Sequence, residues 1–196
     1  MLLAAAFVGL WFAAAFALSV TGWFRQFTSA ELFGIGALAS ATGFLVLHAL
    51  SEQFRGFLRA CRLRRLTQAQ ILRLFGNLAL LKASQHVLPA IFAIPTALID
   101  DAFALSSFYV ASHLIGRGGD ARRGFIAWNV AGLGGLVFSV AAAVLTSSAG
   151  VGFAKDGITS WPMTWFPMSL VPTFIGPLVL ICHLLALAAV LHARRK

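Results

Sequence analysis

The residues able to do chemistry in this chain are few, and most stand inside apolar sequence. Lys82 and His86 lie one helical turn apart, with Gln85 beside them, so on a helix they share a face. A lysine near the centre of a membrane-crossing helix costs about 2.5–3.5 kcal/mol on insertion scales. Such a lysine must snorkel to the headgroups, give up its proton, meet a carbonyl or face water. Asp100 and Asp101 follow at the next predicted helix start. Carboxylates there can cap the helix by bonding its free amides, or form an acidic mouth that binds a proton or cation together with His86. Asn129, Thr173 and His183 sit on helix faces that could line the same interior. His48, His113 and His183 fall towards one depth, where two imidazoles could clamp a haem iron, although membrane histidines also join helices by hydrogen bonds. There is no HxxH, HxxxH or CxxC pair, no GxSxG elbow and no glycine-rich phosphate loop, so neither a metal site nor a catalytic residue is expected.

The elements that must position these residues follow from composition. The 196 residues are 60% hydrophobic and 11% charged, with a mean hydropathy of +0.88. Soluble domains carry about 25% charged residues, so this chain cannot clothe a globule of its size in a wet surface. Cys61 and Cys182 are the only cysteines, which excludes a disulfide-stapled scaffold. A hydrocarbon core about 30 Å thick takes roughly 20 apolar residues per helix. The chain therefore reads as one all-α polytopic membrane domain with six spans, at about 2–24, 31–50, 71–94, 102–115, 125–145 and 165–191.

Charge then gives orientation. A net charge of +9 would suggest nucleic acid in a soluble protein, but basic residues mark the cytoplasmic side of bilayer proteins, so no nucleic-acid partner is expected. On the six-span reading, 12 of the 15 basic residues face one side, including Arg73 at the foot of span three. Arg25 and Lys155 face the other side with Glu31, Asp100, Asp101 and Asp156. Both termini are then cytoplasmic. Trp23, Trp161 and Trp165 fall at the outer headgroup level, which suits their amphipathic rings.

Three further patterns concern lipid, packing and mobility. Arg55, Arg59 and Arg62 recur at i, i+4 and i+7 opposite Phe54, Phe57 and Leu58, which describes a basic amphipathic helix on anionic lipid headgroups or a simple topology anchor. Gly36, Ser40 and Gly43, and likewise Gly132, Gly135 and Ser139, form small-residue faces that let backbones approach, within one protomer or between copies. Pro167, Pro172 and Pro177 interrupt the last span and free carbonyls that protein or water must satisfy, as in the broken helices beside transporter sites.

The stretches LPAIFAIPTALIDDAFAL (88–105), FIAWNVAGL (125–133) and PMSLVPTFIGPLVLICHLLAL (167–187) resemble a group of uncharacterised bacterial six-span membrane proteins. The resemblance covers roughly the last three-quarters of the chain and implies a compact helical fold in a bacterial inner membrane, with no activity attached. The leading expectation is a small transport or channel-like protein whose polar interior draws on Lys82, His86, Asp100, Asp101, Asn129, Thr173 and His183. The rivals are an accessory subunit that docks a larger membrane complex, and a redox protein carrying haem or quinone. No cofactor is required by the leading reading. Expected partners are membrane lipids, a second copy or a larger complex.

Overall fold

The computed structural model describes residues 2–60, 62–148 and 157–192; among helical residues, the side chains of 2–5, 57–59 and 192 are not described. Lys155, Asp156, the tail from Arg194 to Lys196, Cys61 and the side chain of Arg59 therefore lie outside the described part. Among the described residues every regular element is helical. Helix α1 spans Leu2–Val20 and α2 Ser29–Leu50, followed by the short α3, Glu52–Ala60, and α4, Leu63–Gln68. A 3₁₀ segment, Ala69–Gly76, leads directly into α5, Asn77–Ser84. Then come α6, Ala90–His113, and α7, Asp120–Leu145, and finally a π turn, Val171–Ile175, running into α8, Gly176–His192. Four helical stretches, Ser29–Leu50, Ala90–His113, Asp120–Leu145 and Val171–Leu191, are long and apolar enough to cross a membrane. The chain is accordingly read as a membrane protein.

The middle of the chain departs from the sequence expectation. One helix is expected over 71–94 and another over 102–115, divided at Pro95. Instead the reversal comes earlier, at 85–89, and α6 runs 24 residues straight through Pro95. His86 adopts a left-handed backbone, φ 57°, which few non-glycine residues take. The amides of Val87 and Leu88 both return to the Lys82 carbonyl, closing α5, and Pro89 opens α6 by accepting from the Phe92 and Ala93 amides. Pro95 removes only the amide that would bond Ile91, a loss membrane helices tolerate. Residues 63–84 thus lie antiparallel against α6, with their 3₁₀ segment against its middle.

Helix ends are fixed by specific bonds. Thr28 and Glu31 form a capping box on α2: the Thr28 amide donates to Glu31 Oε2 at 2.7 Å and the Glu31 amide to Thr28 Oγ1 at 3.2 Å. At the same end Ser29 and Ser160 hydroxyls meet at 2.6 Å, Ser160 Oγ donates to the Ala143 carbonyl at 3.0 Å, and Ser19 bonds Ser169. These contacts tie α1, α2, α7 and the segment before the π turn together at one end of the bundle. Pro177 leaves the Thr173 carbonyl without its helical donor, and Trp11 Nε1 supplies one at 3.1 Å.

Candidate functional site

The 3₁₀ segment dictates the interior. At three residues per turn, side chains at i and i+3 stack in one row, whereas an α-helix would fan them out. Gln70 and Arg73 are both buried along that row, and Gly76 continues it. Gln70 Nε2 donates to the Val179 carbonyl of α8 at 3.2 Å. Arg73 Nη2 donates to the Gly132 carbonyl of α7 at 3.2 Å, and its Nε lies 3.2 Å from Asp100 Oδ1 of α6. Its guanidinium carbon also stands 4.9 Å from the centre of the Phe103 ring, a cation–π contact. Gly76 keeps the place beside this pair open, since a Cβ there would come 2.9 Å from Asp100 Oδ2.

A cavity of about 70 Å³ lies against this ion pair. Arg73 and Gly76 of the 3₁₀ segment line it, together with Pro172 of the π turn and Gly176 and Pro177 at the start of α8; Thr96, Asp100 and Ser139 add polar edges. Two departures from α-helical geometry therefore border one hollow. At roughly 30 Å³ per liquid water, the hollow suits a few waters or a small solute. The Arg73 side chain is 1% exposed and that of Asp100 13%, so what little of the pair is accessible belongs to Asp100, whose Oδ1 is itself buried.

A second polar pair sits behind Phe103. Asn129 Nδ2 donates to the Phe125 carbonyl at 2.8 Å, which turns the amide oxygen towards His183 Nδ1 at 2.9 Å. That network assigns the ring proton to Nδ1 and leaves Nε2 as the bare nitrogen. The His183 ring is fully buried, edge-on to Phe103 and tilted against Trp128, whose Nε1 donates to Ser106 Oγ at 2.9 Å. Nε2 abuts Gly132, so axial ligation by this histidine would require α7 and α8 to part.

The structure distributes the sequence-predicted residues over several places. Asp100 is not at an outer helix start: it stands about 15 Å along α6, at 1.5 Å per residue, beside Arg73. Asp101 accepts from Asn77 Nδ2 at 2.8 Å. Asn129 and His183 are brought together, and Thr173 Oγ1 bonds its own helix at the Ser169 carbonyl, 2.6 Å away. Lys82 and His86 do not join them. Because the reversal falls at 85–89, Lys82 lies in the last turn of α5, half-buried, and its Nζ donates to Gln85 Oε1 at 3.2 Å, while His86 is exposed. Of the haem candidates, His48 stacks on Phe44 and His113 on Tyr109. Among the described residues no group of three or more His, Cys, Asp or Glu could hold a metal ion.

The basic and small residues have specific partners too. Arg55 Nη1 donates to the His48 and Ala49 carbonyls, both at 2.9 Å, and so caps α2, while Arg62 is exposed at the start of α4. Gly36 packs directly on the Pro172 carbonyl, Gly132 on His183, and a Cβ at Gly135 would come 2.7 Å from Ile99. Ser40 and Ser139 bond the carbonyls of Gly36 and Gly135 on their own helices. Gly43 faces open space.

Sequence reading missed Gln70, Arg73 and Asn77. The signal was depth: once the reversal is placed at 85–89, Arg73 lies twelve residues before it and Asp100 eleven after it, close to one level. Compared with known proteins, the chain matches no curated protein and no solved structure. A family model described as a domain of unknown function, DUF8737, matches residues 31–191, from α2 to the end of α8 and so including every residue of the ion pair, the cavity and the Asn129–His183 pair. The chain belongs to that family.

Proposed function

We propose that the protein is a small transport or channel-like protein of a bacterial inner membrane, with six traversals and both termini in the cytoplasm. Alpha-helix α1 and the interrupted stretch 63–84 are counted as traversals beside the four long apolar helices. The orientation rests on the one-sided distribution of arginine. The observation that carries the functional reading is the buried Arg73–Asp100 pair on the wall of a cavity bordered by two irregular helical segments. Charged pairs at membrane depth are costly and mark solute or proton paths, and irregular backbone at that depth is tolerated where it lines a cavity. A small solute or ion enters the hollow and meets Asp100. The π turn, with Pro172 and Pro177, is the wall that yields.

Reconstitution tests this reading. Vesicles carrying the purified protein should pass protons, sodium or acetate faster than protein-free vesicles, by fluorescence of an entrapped pH dye or by tracer uptake. Asp100→Asn should remove that excess. Vesicles as tight as protein-free ones to all three probes would overturn it. A second reading, an accessory subunit of a larger membrane complex, is supported by α2, whose Gly43 faces open space among the exposed Ile35, Leu38, Leu45 and Leu47. Extraction from native membranes in mild detergent distinguishes the two, since a subunit elutes with fixed partners.

A further inference from the structure

A second hollow, of about 190 Å³, lies at the opposite end of the bundle from the 85–89 reversal. Its floor is apolar, with Leu63, Leu114, Ile115, Phe125 and Val190, and its mouth carries Arg117 and Arg122. Arg122 Nη2 holds the Val190 carbonyl near the end of α8 at 2.9 Å, which fixes one donor and leaves the rest of the fork at the rim. Arg64 Nε holds the Ala111 carbonyl of α6 at 3.2 Å. Arg117 is exposed, and among the described residues no carboxylate lies within ion-pair distance of Arg117 or Arg122. The nearby Asp120 is paired with Arg123 at 3.4 Å. The 26-residue α7 starts beside the hollow and contributes Arg122 and Phe125 to its lining.

The geometry points to a binding site for an anionic phospholipid, with its phosphate on Arg117 and Arg122 and its acyl chain along Leu63, Leu114 and Val190. Helix ends of a membrane protein lie at headgroup depth, and basic pockets between such ends take anionic headgroups. The apolar floor distinguishes a lipid from a free phosphate, which gains nothing from it. This site is separate from the Arg73–Asp100 cavity and stands whether or not the protein transports anything.

The test is a titration of the full chain in detergent with short-chain phosphatidylglycerol, read by native mass spectrometry. Phosphatidylcholine and inorganic phosphate serve as comparison ligands. One phosphatidylglycerol should bind saturably, with phosphatidylcholine weaker. Arg117→Gln should weaken phosphatidylglycerol about fivefold, in line with one arginine near an anionic headgroup. Arg117 is exposed and bonds nothing that holds the fold, whereas Arg122 caps α8, so the conclusion rests on Arg117→Gln. Lys82→Gln, at the opposite end of the bundle, should leave the affinity unchanged. Equal affinity for the two lipids, or no loss in Arg117→Gln, would overturn the site. Inorganic phosphate displacing the lipid at equal concentration would overturn its assignment to a lipid.

Discussion

The imidazole of His183 occupies the space that a side chain at position 132 would need: a Cβ on Gly132 would overlap its Cε1 and Nε2 atoms. The ring is held there by Asn129 and walled by Phe103 and Trp128, so it cannot swing aside without breaking a buried hydrogen bond. Gly132→Ala should therefore lower stability by about 1–3 kcal/mol, the usual cost of overfilling a packed interior. Gly134, two residues on, is exposed and has nothing within 4 Å of its would-be Cβ. Gly134→Ala should leave stability unchanged or raise it by up to ~1 kcal/mol through helix propensity. Thermal unfolding of the two variants in detergent measures the contrast, and equal midpoints would contradict the packing.

The Arg73–Asp100 pair should behave as a unit. Removing one partner leaves the other charge buried, which costs about 3–5 kcal/mol, whereas replacing both with apolar groups is often nearly neutral. Arg73→Met and Asp100→Leu should each destabilise strongly, and the double variant should recover most of the loss. Unfolding midpoints of the four proteins form the double-mutant cycle. Additive losses would mean that the two groups do not interact.

Lys82 should be reachable from water. Its ammonium bonds only Gln85 in a turn, so Lys82→Met should change stability by no more than about 0.5 kcal/mol. A membrane-impermeant amine reagent applied to vesicles should label Lys82, as read by peptide mass mapping. Protection from the reagent on both sides of the membrane would place it in an enclosed interior instead.

The arginine distribution predicts topology directly. Reporters fused after residues 66 and 119 should be cytoplasmic, and one fused after Gly157 should lie on the opposite side. A cytoplasmic signal from the last fusion would contradict the six-traversal arrangement.

Much of this architecture is legible in the sequence, and the losses have one origin. Apolar content and the length of the apolar runs point to membrane helices, and the spacing of Gly36, Gly132 and Gly135 picks out three positions where backbones or rings do touch. The reversal at 85–89 carries no glycine, because His86 itself takes the left-handed conformation, while Pro95 looks like a helix terminator and is not one. Shifting that boundary by several residues moves Lys82 from mid-helix to a turn, Asp100 from a helix cap to the interior, and Arg73 from the membrane edge to the ion pair. The 3₁₀ geometry of 69–76 was invisible for a different reason. No local signal specifies it; Gln70 and Arg73 bond carbonyls of α8 and α7, far away in the chain, and such contacts are not readable from the local sequence.

That segment also has a mechanical meaning. A 3₁₀ helix rises about 2.0 Å per residue and an α-helix 1.5 Å, so eight residues passing from one to the other would shorten by about 4 Å. The same passage would unwind the single file of Gln70, Arg73 and Gly76 into a spiral, each member turned by about 60° relative to the one before. Length and rotation are thereby geared together, as in a screw. α5, joined to the segment without a break, would be drawn along its axis as Arg73 turned away from Asp100.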